Sequence, residues 1–138
     1  MKIMVTGSRT WGACPESFKH DRPFDCPAYA DAWHQMLSAV QEALPSGREP
    51  VELLHGDAEG ADRMARKIWA TYSLGPITGY PANWDDLGKR AGIVRNGILV
   101  AHMPDLVLAF HLDNSPGTAD AIRQARAAGL DVHIYPKE

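Results

Sequence analysis

Short apolar runs alternate along the chain with longer segments in which apolar residues recur every three or four positions. The runs are typical of buried strands, and they lie at residues 2–5, 50–55, 74–80, 105–110 and 132–135. The segments between them predict amphipathic helices at residues 28–44, 61–72, 86–102 and from 116 to about Gly129. Strands that alternate with helices in this way predict right-handed βαβ units and a parallel sheet.

The predicted fold class is α/β, a Rossmann-like doubly wound parallel sheet of about five strands with helices on both faces. The simplest strand order is 3-2-1-4-5, which puts the switch point between strands 1 and 4. A length of 138 residues predicts one domain over residues 1–138 with a single core. Residues 12–27 lack periodicity and contain three prolines, so they predict a long loop that can fold over a ligand.

The last two helices carry the most useful local signals. Ser115 is an N-cap residue type, Pro116 suits the first helical position, and Gly129 is placed to end the last helix. The helix before it has an apolar stripe that we expect to be buried, formed by Leu87, Ala91, Val94 and Ile98.

Two glycine-bearing loops follow strands 1 and 4, and both have features that favour an anion. Arg9 offers a planar guanidinium, and the second loop offers the free N–H groups at a helix start. We expect these loops to converge at the switch point and to hold a phosphate. The predicted contacts are Gly7, Ser8, Arg9, Ser115, Gly117 and Thr118. The alternative is a tight turn with a surface arginine and an ordinary helix cap, to which Ser115 contributes about 1 kcal/mol.

A third loop and the following helix add polar residues at the same edge of the sheet. The loop contributes Gly56, Asp57, Gly60 and Asp62, and the helix contributes Arg95 and Asn96. The carboxylates of Asp57, Glu59 and Asp62 accept hydrogen bonds from ribose or a base, but carboxylates also favour a helix N-terminus, and both interpretations stay open. Arg95 borders the predicted buried stripe, so it either pairs with a carboxylate or reaches the crevice. Trp84 either stacks on a base or packs as a lid.

Composition limits the classes of partner that the chain can have. A net charge of −3 and a pI near 6.0 disfavour a dedicated nucleic-acid binder. The chain enters a strand without a leader and has no apolar run of roughly 20 residues, which predicts a cytoplasmic protein with no membrane partner. Aromatic residues such as Trp33, Trp69 and Tyr72 are numerous for a small core, so we expect some of them to lie in a homo-oligomer contact, as a dimer or larger.

Cys14 and Cys26 are the only cysteines, and for a cytosolic protein we expect two free thiols. A zinc site on Cys14, His20 and Cys26 is the less favoured alternative, because no C-x-x-C pair and no fourth ligand are evident. Neither loop is a Walker A or a complete G-x-G-x-x-G sequence. The sequence therefore predicts no metal and no cofactor.

Five segments together resemble the YspA-like branch of the SLOG superfamily. They are Val5–Arg9, His55–Asp62, Pro81–Trp84, Gly88–Asn96 and Gly117–Asp120, and the resemblance runs in order over nearly the whole chain. The chain differs at residues 12–27, which are longer than usual, and at residues 112–116, where family members have a glycine pair. The resemblance implies a Rossmann-like domain that binds nucleotides or nucleotide-derived ligands, as a sensor or processor in phage, plasmid and bacterial conflict. It also implies a dimer.

The same resemblance implies catalytic relatives, the cytokinin-activating phosphoribohydrolases and lysine-decarboxylase-like proteins. Their P-G-G-x-G-T-x-x-E motif ends in a catalytic glutamate, whereas this chain has Ala121 at that position. The adjacent Asp120 points about 100° round the helix from it. Our leading hypothesis is therefore binding of a nucleotide or an ADP-ribose-like compound. The alternatives are an N-glycosidase acting on nucleoside monophosphates through Asp120 or Asp62, and a DNA-binding module.

Overall fold

Five strands form one all-parallel sheet in the computed structural model, which describes residues 1–14, 24, 26–47, 49–112 and 114–136. The strands are β1 Lys2–Gly7, β2 Glu52–His55, β3 Ile77–Gly79, β4 Leu106–Phe110 and β5 Val132–Tyr135. The helices are α1 Pro27–Ala43, α2 Ala61–Tyr72, α3 Trp84–Leu87, α4 Ala91–Ala101 and α5 Pro116–Ala127. A 3₁₀ turn, Gly88–Arg90, joins α3 to α4.

The strand order is β3-β2-β1-β4-β5, and the predicted order and fold class are confirmed. Central strand β1 pairs with β2 and β4, so that Met4 lies opposite both Leu54 and Val107. Its side chains alternate between two cores: Ile3 and Val5 pack with α1 and α2, and Met4 packs with α4 and α5. Helices therefore cover both faces of the sheet, and all the carboxyl ends of the strands meet at one edge.

Helix α5 begins where the sequence predicts. Ser115 is its N-cap residue, Pro116 is its first helical residue, and Gly129 follows its end with a φ of +77°. The side chain of Ser115 makes no capping bond to the backbone, however. Two strands are shorter than expected, since β2 begins at Glu52 and β3 spans only Ile77–Gly79.

The single helix expected at residues 86–102 is wrong. Gly88 has a φ of +56°, so the chain bends there, and the short α3 and the 3₁₀ turn precede α4. The expected buried stripe is wrong at two of its positions, because Val94 is 41% exposed and Ile98 is 44% exposed, whereas Ala91 is buried. The buried face of α4 also contains Asn96, Leu99 and Val100, and Leu99 and Val100 pack with α5. The face that packs is therefore rotated from the one that the spacing of apolar residues predicted.

The expectation of two free thiols is wrong as well, because Cys14 and Cys26 form a disulfide. Gly12, with a φ of +76°, lets the chain after β1 lie close to Tyr29 of α1 and Met64 of α2, which brings Cys14 to the start of α1. The Cα atoms of the two cysteines are 6.2 Å apart. We had expected free thiols because cytosolic proteins rarely contain structural disulfides. That argument does not take into account how close the fold brings the two cysteines. His20 lies outside the described residues.

Two of the aromatic residues expected at an oligomer contact belong to the core. Trp33 and Trp69 are buried, and the Trp69 Nε1–H donates to the carbonyl oxygen of Val51 over 2.8 Å. Only Tyr72 is exposed, so the homo-oligomer stays a prediction with less support from these residues. None of the helices in the described part of the chain has the length and apolar composition needed to cross a membrane.

Candidate functional site

A cavity of about 370 Å³ lies at the carboxyl edge of the sheet. Segments that follow β1, β2 and β3 form its walls together with α4. The lining residues are Arg9, Gly56, Asp57, Ala58, Glu59, Arg63, Pro81, Ala82, Trp84 and Arg95. This is the expected edge of the sheet, but the cavity lies toward β2 and β3, whereas we had expected it between the β1 and β4 loops. We call it the arginine cavity.

Three guanidinium groups line the arginine cavity and give it a cationic character. The Cζ atom of Arg9 lies 5.7 Å from the centroid of the Trp84 ring, within range of a cation–π contact. Arg63 lies 3.9 Å from Glu59, one helical turn before it, and both side chains are largely exposed. Asp57 and Glu59 are the two carboxylates of the lining. The cavity thus combines anion-binding groups, acceptors for hydroxyl groups and an aromatic ring.

Arg95 contacts the backbone of the turn that follows β2. Its Nη1 atom donates to the carbonyl oxygen of Gly56 over 2.5 Å, and its Nε atom donates to Asn96 Oδ1 over 3.1 Å. A side chain at position 56 would collide with Arg95, which explains the glycine there. Burial lowers the pKa of Arg95, and the nearby carboxylate of Asp62 partly opposes this change. Arg95 therefore both supports the turn and lines the cavity.

Asp62 is buried beneath the same turn. Its Oδ2 atom accepts hydrogen bonds from the backbone N–H groups of Gly56 at 2.8 Å and Ala58 at 3.4 Å. Burial raises the pKa of Asp62 to about 6, although Arg95 and the two N–H donors oppose the rise. This carboxyl group is not part of the cavity lining, so its direct role is to shape the turn.

His55 orients the neighbouring acidic residue. The backbone N–H of Asp57 donates to Nδ1 of His55 over 2.9 Å, and Asp57 itself has a φ of +54°. Burial lowers the pKa of His55, which favours the neutral ring that this acceptor role requires. The Asp57 carboxylate lies in the cavity wall, 4.0 Å from Arg66.

Gly7 and Gly60 allow two loops to pack directly on each other. A Cβ at Gly7 would collide with Ala61 and with the carbonyl oxygen of Phe110. Gly60 has a φ of +82°, and a Cβ there would collide with the backbone of Ser8 and Arg9. These two glycines were predicted to let a ligand approach, and the structure assigns them to contacts between the β1 loop and α2.

Ser8 joins the two loops that were predicted to converge. Its hydroxyl donates to the Leu112 carbonyl over 2.8 Å and accepts from the Leu112 N–H over 2.7 Å. The side chain is 2% exposed. The loops therefore do meet, but the hydroxyl expected to contact phosphate is already bonded to Leu112.

The N-terminal turn of α5 lies outside the arginine cavity. The buried Thr118 hydroxyl donates to Ser115 Oγ over 3.2 Å. Gly117 lines a different cavity of about 510 Å³ between α4 and α5, and Trp84 lines both cavities. Ser115, Gly117 and Thr118 therefore do not line the cavity that Arg9 lines.

Asp120 connects α4 to α5. Its Oδ2 atom accepts from Asn96 Nδ2 at 3.0 Å and from Gln124 Nε2 at 2.8 Å, while its Oδ1 atom accepts from Arg123 at 2.6 Å. Asn96 also donates to the Gly117 carbonyl over 3.2 Å. Both oxygens of this catalytic candidate therefore have partners within the fold. Within the described ranges, no group of three or more His, Cys, Asp and Glu side chains is placed to hold a metal ion.

Sequence reasoning missed Arg63 as a cavity residue. Its spacing of four from Glu59 was visible, but such pairs are usually solvated surface contacts. Arg63 lies in the first turn of α2, and only the packing of the β1 loop on α2 brings it beside Arg9.

A comparison with known proteins shows the family to which the chain belongs. The chain is 34% identical over 136 residues to the gene 61 protein of Mycobacterium phage D29, covering 95% of this chain and 93% of the phage protein. This chain belongs to the gene 61 protein family. No family model and no solved structure matches it. The name of the phage relative states no activity, so function has to be argued from the site.

Proposed function

We propose that this member of the gene 61 family binds a nucleotide or a nucleotide-derived, ADP-ribose-like compound in the arginine cavity. The observation that carries the proposal is the presence of three arginines in one cavity at the carboxyl edge of a parallel sheet. Guanidinium groups bind phosphate in a planar, bidentate manner. Arg9, Arg63 and Arg95 are therefore the proposed phosphate contacts.

The remaining lining fits the other parts of a nucleotide. Asp57 and Glu59 offer acceptors for ribose hydroxyl groups, and the Trp84 ring offers a surface for a base. Trp84 is 48% exposed, which leaves ring surface for stacking. The resemblance to the YspA-like branch of the SLOG superfamily supports the same class of ligand, and we propose that membership as well.

We prefer ligand binding to hydrolysis because the two carboxyl groups that the sequence suggested for catalysis are both hydrogen-bonded within the fold. Asp62 accepts two backbone bonds beneath the turn, and Asp120 accepts three side-chain bonds between helices. A sensor or processor that holds its ligand intact is the simplest function for this cavity. The relation to a phage protein supports the phage or bacterial setting that the resemblance implies.

Calorimetry with AMP, ADP, NAD and ADP-ribose tests the proposal. We expect Arg9→Ala to weaken binding about tenfold to a hundredfold, because one charge-assisted bond is lost. Arg126→Ala is the matched control, since Arg126 is an exposed arginine in the last turn of α5. If no compound binds below millimolar concentration, or if both variants bind like the wild type, the proposal is wrong.

A further inference from the structure

A second cavity, of about 320 Å³, adjoins the arginine cavity. The two share Arg9, Glu59 and Arg63, so these residues form a common wall. Beyond that wall the second cavity extends along α2 to Lys67, one helical turn after Arg63. Cationic groups therefore continue from one cavity into the next.

Trp11 lines the second cavity and has an unusual feature. The residue is 3% exposed, and its Nε1–H is buried without an acceptor among the described residues. A buried donor without a partner costs free energy, and such groups are rare in folded proteins. Trp69, which is buried as well, shows the usual outcome, because it donates to the Val51 carbonyl. The Trp11 nitrogen has almost no accessible surface, so an arriving acceptor reaches it only when the indole ring turns toward the cavity.

Two other lining residues of the second cavity, Tyr29 and Lys67, suit an organic group with polar substituents. Tyr29 presents its ring there, and Lys67 Nζ lies 5.9 Å from the centroid of that ring. Each cavity is near the lower end of the size range for small-molecule sites, roughly 300–1,000 Å³. A ligand that places one nucleotide unit in each cavity fits these volumes better than a ligand held entirely in one cavity.

We propose that the ligand has two sugar-bearing units joined by phosphates and occupies both cavities. The phosphates contact Arg9 and Arg63 on the shared wall, and one unit lies beside Trp84. The second unit lies beside Tyr29 and Lys67, and one of its oxygens accepts from Trp11 Nε1–H after the indole ring has turned toward the cavity. This inference rests on the proposed function and narrows its ligand to a dinucleotide-type compound.

Binding of AMP, ADP and ADP-ribose to the wild type and to two variants tests the inference. We expect ADP-ribose to bind at least tenfold more tightly than AMP or ADP. Trp11→Phe removes the N–H group, and Lys67→Ala removes the exposed cation. Each should weaken ADP-ribose about threefold to tenfold and leave AMP unchanged. Lys2→Ala, at the opposite edge of the sheet, is the matched control for Lys67. The melting temperature of the unliganded variants shows whether Trp11→Phe, which also loses packing against Phe110, remains folded.

The outcomes separate the two proposals. If AMP binds with a dependence on Arg9, but ADP-ribose gains nothing and neither variant weakens it, the two-cavity ligand is wrong and the arginine cavity stands. If Trp11→Phe unfolds the protein, the Lys67→Ala result decides by the same criterion. If none of the compounds binds, both proposals are wrong.

Discussion

The loop after β1 and the loop that leads into α5 share a sequence pattern. Each has a glycine and hydroxyl-bearing residues shortly after a buried strand. In the first loop, Gly7 is packed against Ala61, and Arg9 lines a cavity. In the second loop, the space around Gly117 is open, and the Thr118 hydroxyl bonds to Ser115. The difference comes from what packs on each loop: helix α2 presses on the first, whereas nothing comparably close surrounds the glycine of the second. A glycine in a strand-to-helix loop therefore does not by itself show whether another part of the chain lies against it or the space beside it is open.

Substitutions at Gly60, which packs against the loop after β1, and at Gly117 give the largest expected contrast. Gly60→Ala places a Cβ against the backbone of Ser8 and Arg9 at a φ of +82°, and we expect it to cost about 3 kcal/mol or more in the free energy of unfolding. Gly117→Ala meets no atom within 4 Å in a helical turn and should stabilise the protein by about 0.5 kcal/mol. Urea denaturation of both variants measures this contrast. Equal effects would mean that the two loops are packed alike.

Arg95→Ala should have the next largest effect, because this residue supports the turn after β2 and also lines the cavity. Loss of its bonds to Gly56 and Asn96 should lower stability by about 2 kcal/mol, or several degrees in melting temperature. Affinity for ADP-ribose should fall about tenfold as well. Arg90→Ala, an exposed arginine in the 3₁₀ turn, is the control. Normal affinity with a lower melting temperature would make Arg95 a purely structural residue.

The sequence allowed correct prediction of features that depend on local chemistry. The strand order follows from alternating apolar runs, and the start of α5 follows from Ser115 and Pro116. What could not be predicted depends on contacts between distant segments. The Ser8 hydroxyl is hydrogen-bonded to a residue 104 positions away, and Val94 and Ile98 are exposed because α4 packs through the face that contains Leu99 and Val100. Arg9 and Arg95 were correctly placed at the carboxyl edge of the sheet, but Arg63 needed the packing of α2 to be recognised.

The pH dependence of stability should distinguish the turn after β2 from the rest of the molecule. Burial raises the pKa of Asp62 from 3.8 to about 6, so the folded chain binds this proton more tightly than the unfolded chain. This contribution to stability is complete below about pH 3.8 and is lost as the pH rises through about 6. Asp62→Asn keeps an oxygen that can accept from Gly56 and cannot titrate. We expect the melting temperature of the wild type, relative to this variant, to fall by a few degrees between pH 4 and 6.5. A constant difference across that range would contradict the raised pKa.

The two serines give the smallest effects and compare the same loops most directly. Ser8→Ala leaves the N–H and carbonyl of Leu112 without their side-chain partner, and we expect a loss of about 1 to 2 kcal/mol in the free energy of unfolding. Ser115 makes no capping bond to the backbone and accepts one bond from the Thr118 hydroxyl, so Ser115→Ala should cost about 0.5 to 1 kcal/mol, less than Ser8→Ala. Urea denaturation of the two variants provides the measurement. A larger loss for Ser115→Ala would mean that its hydroxyl caps α5 in solution, and the N-terminus of α5 would then be organised like an ordinary capped helix.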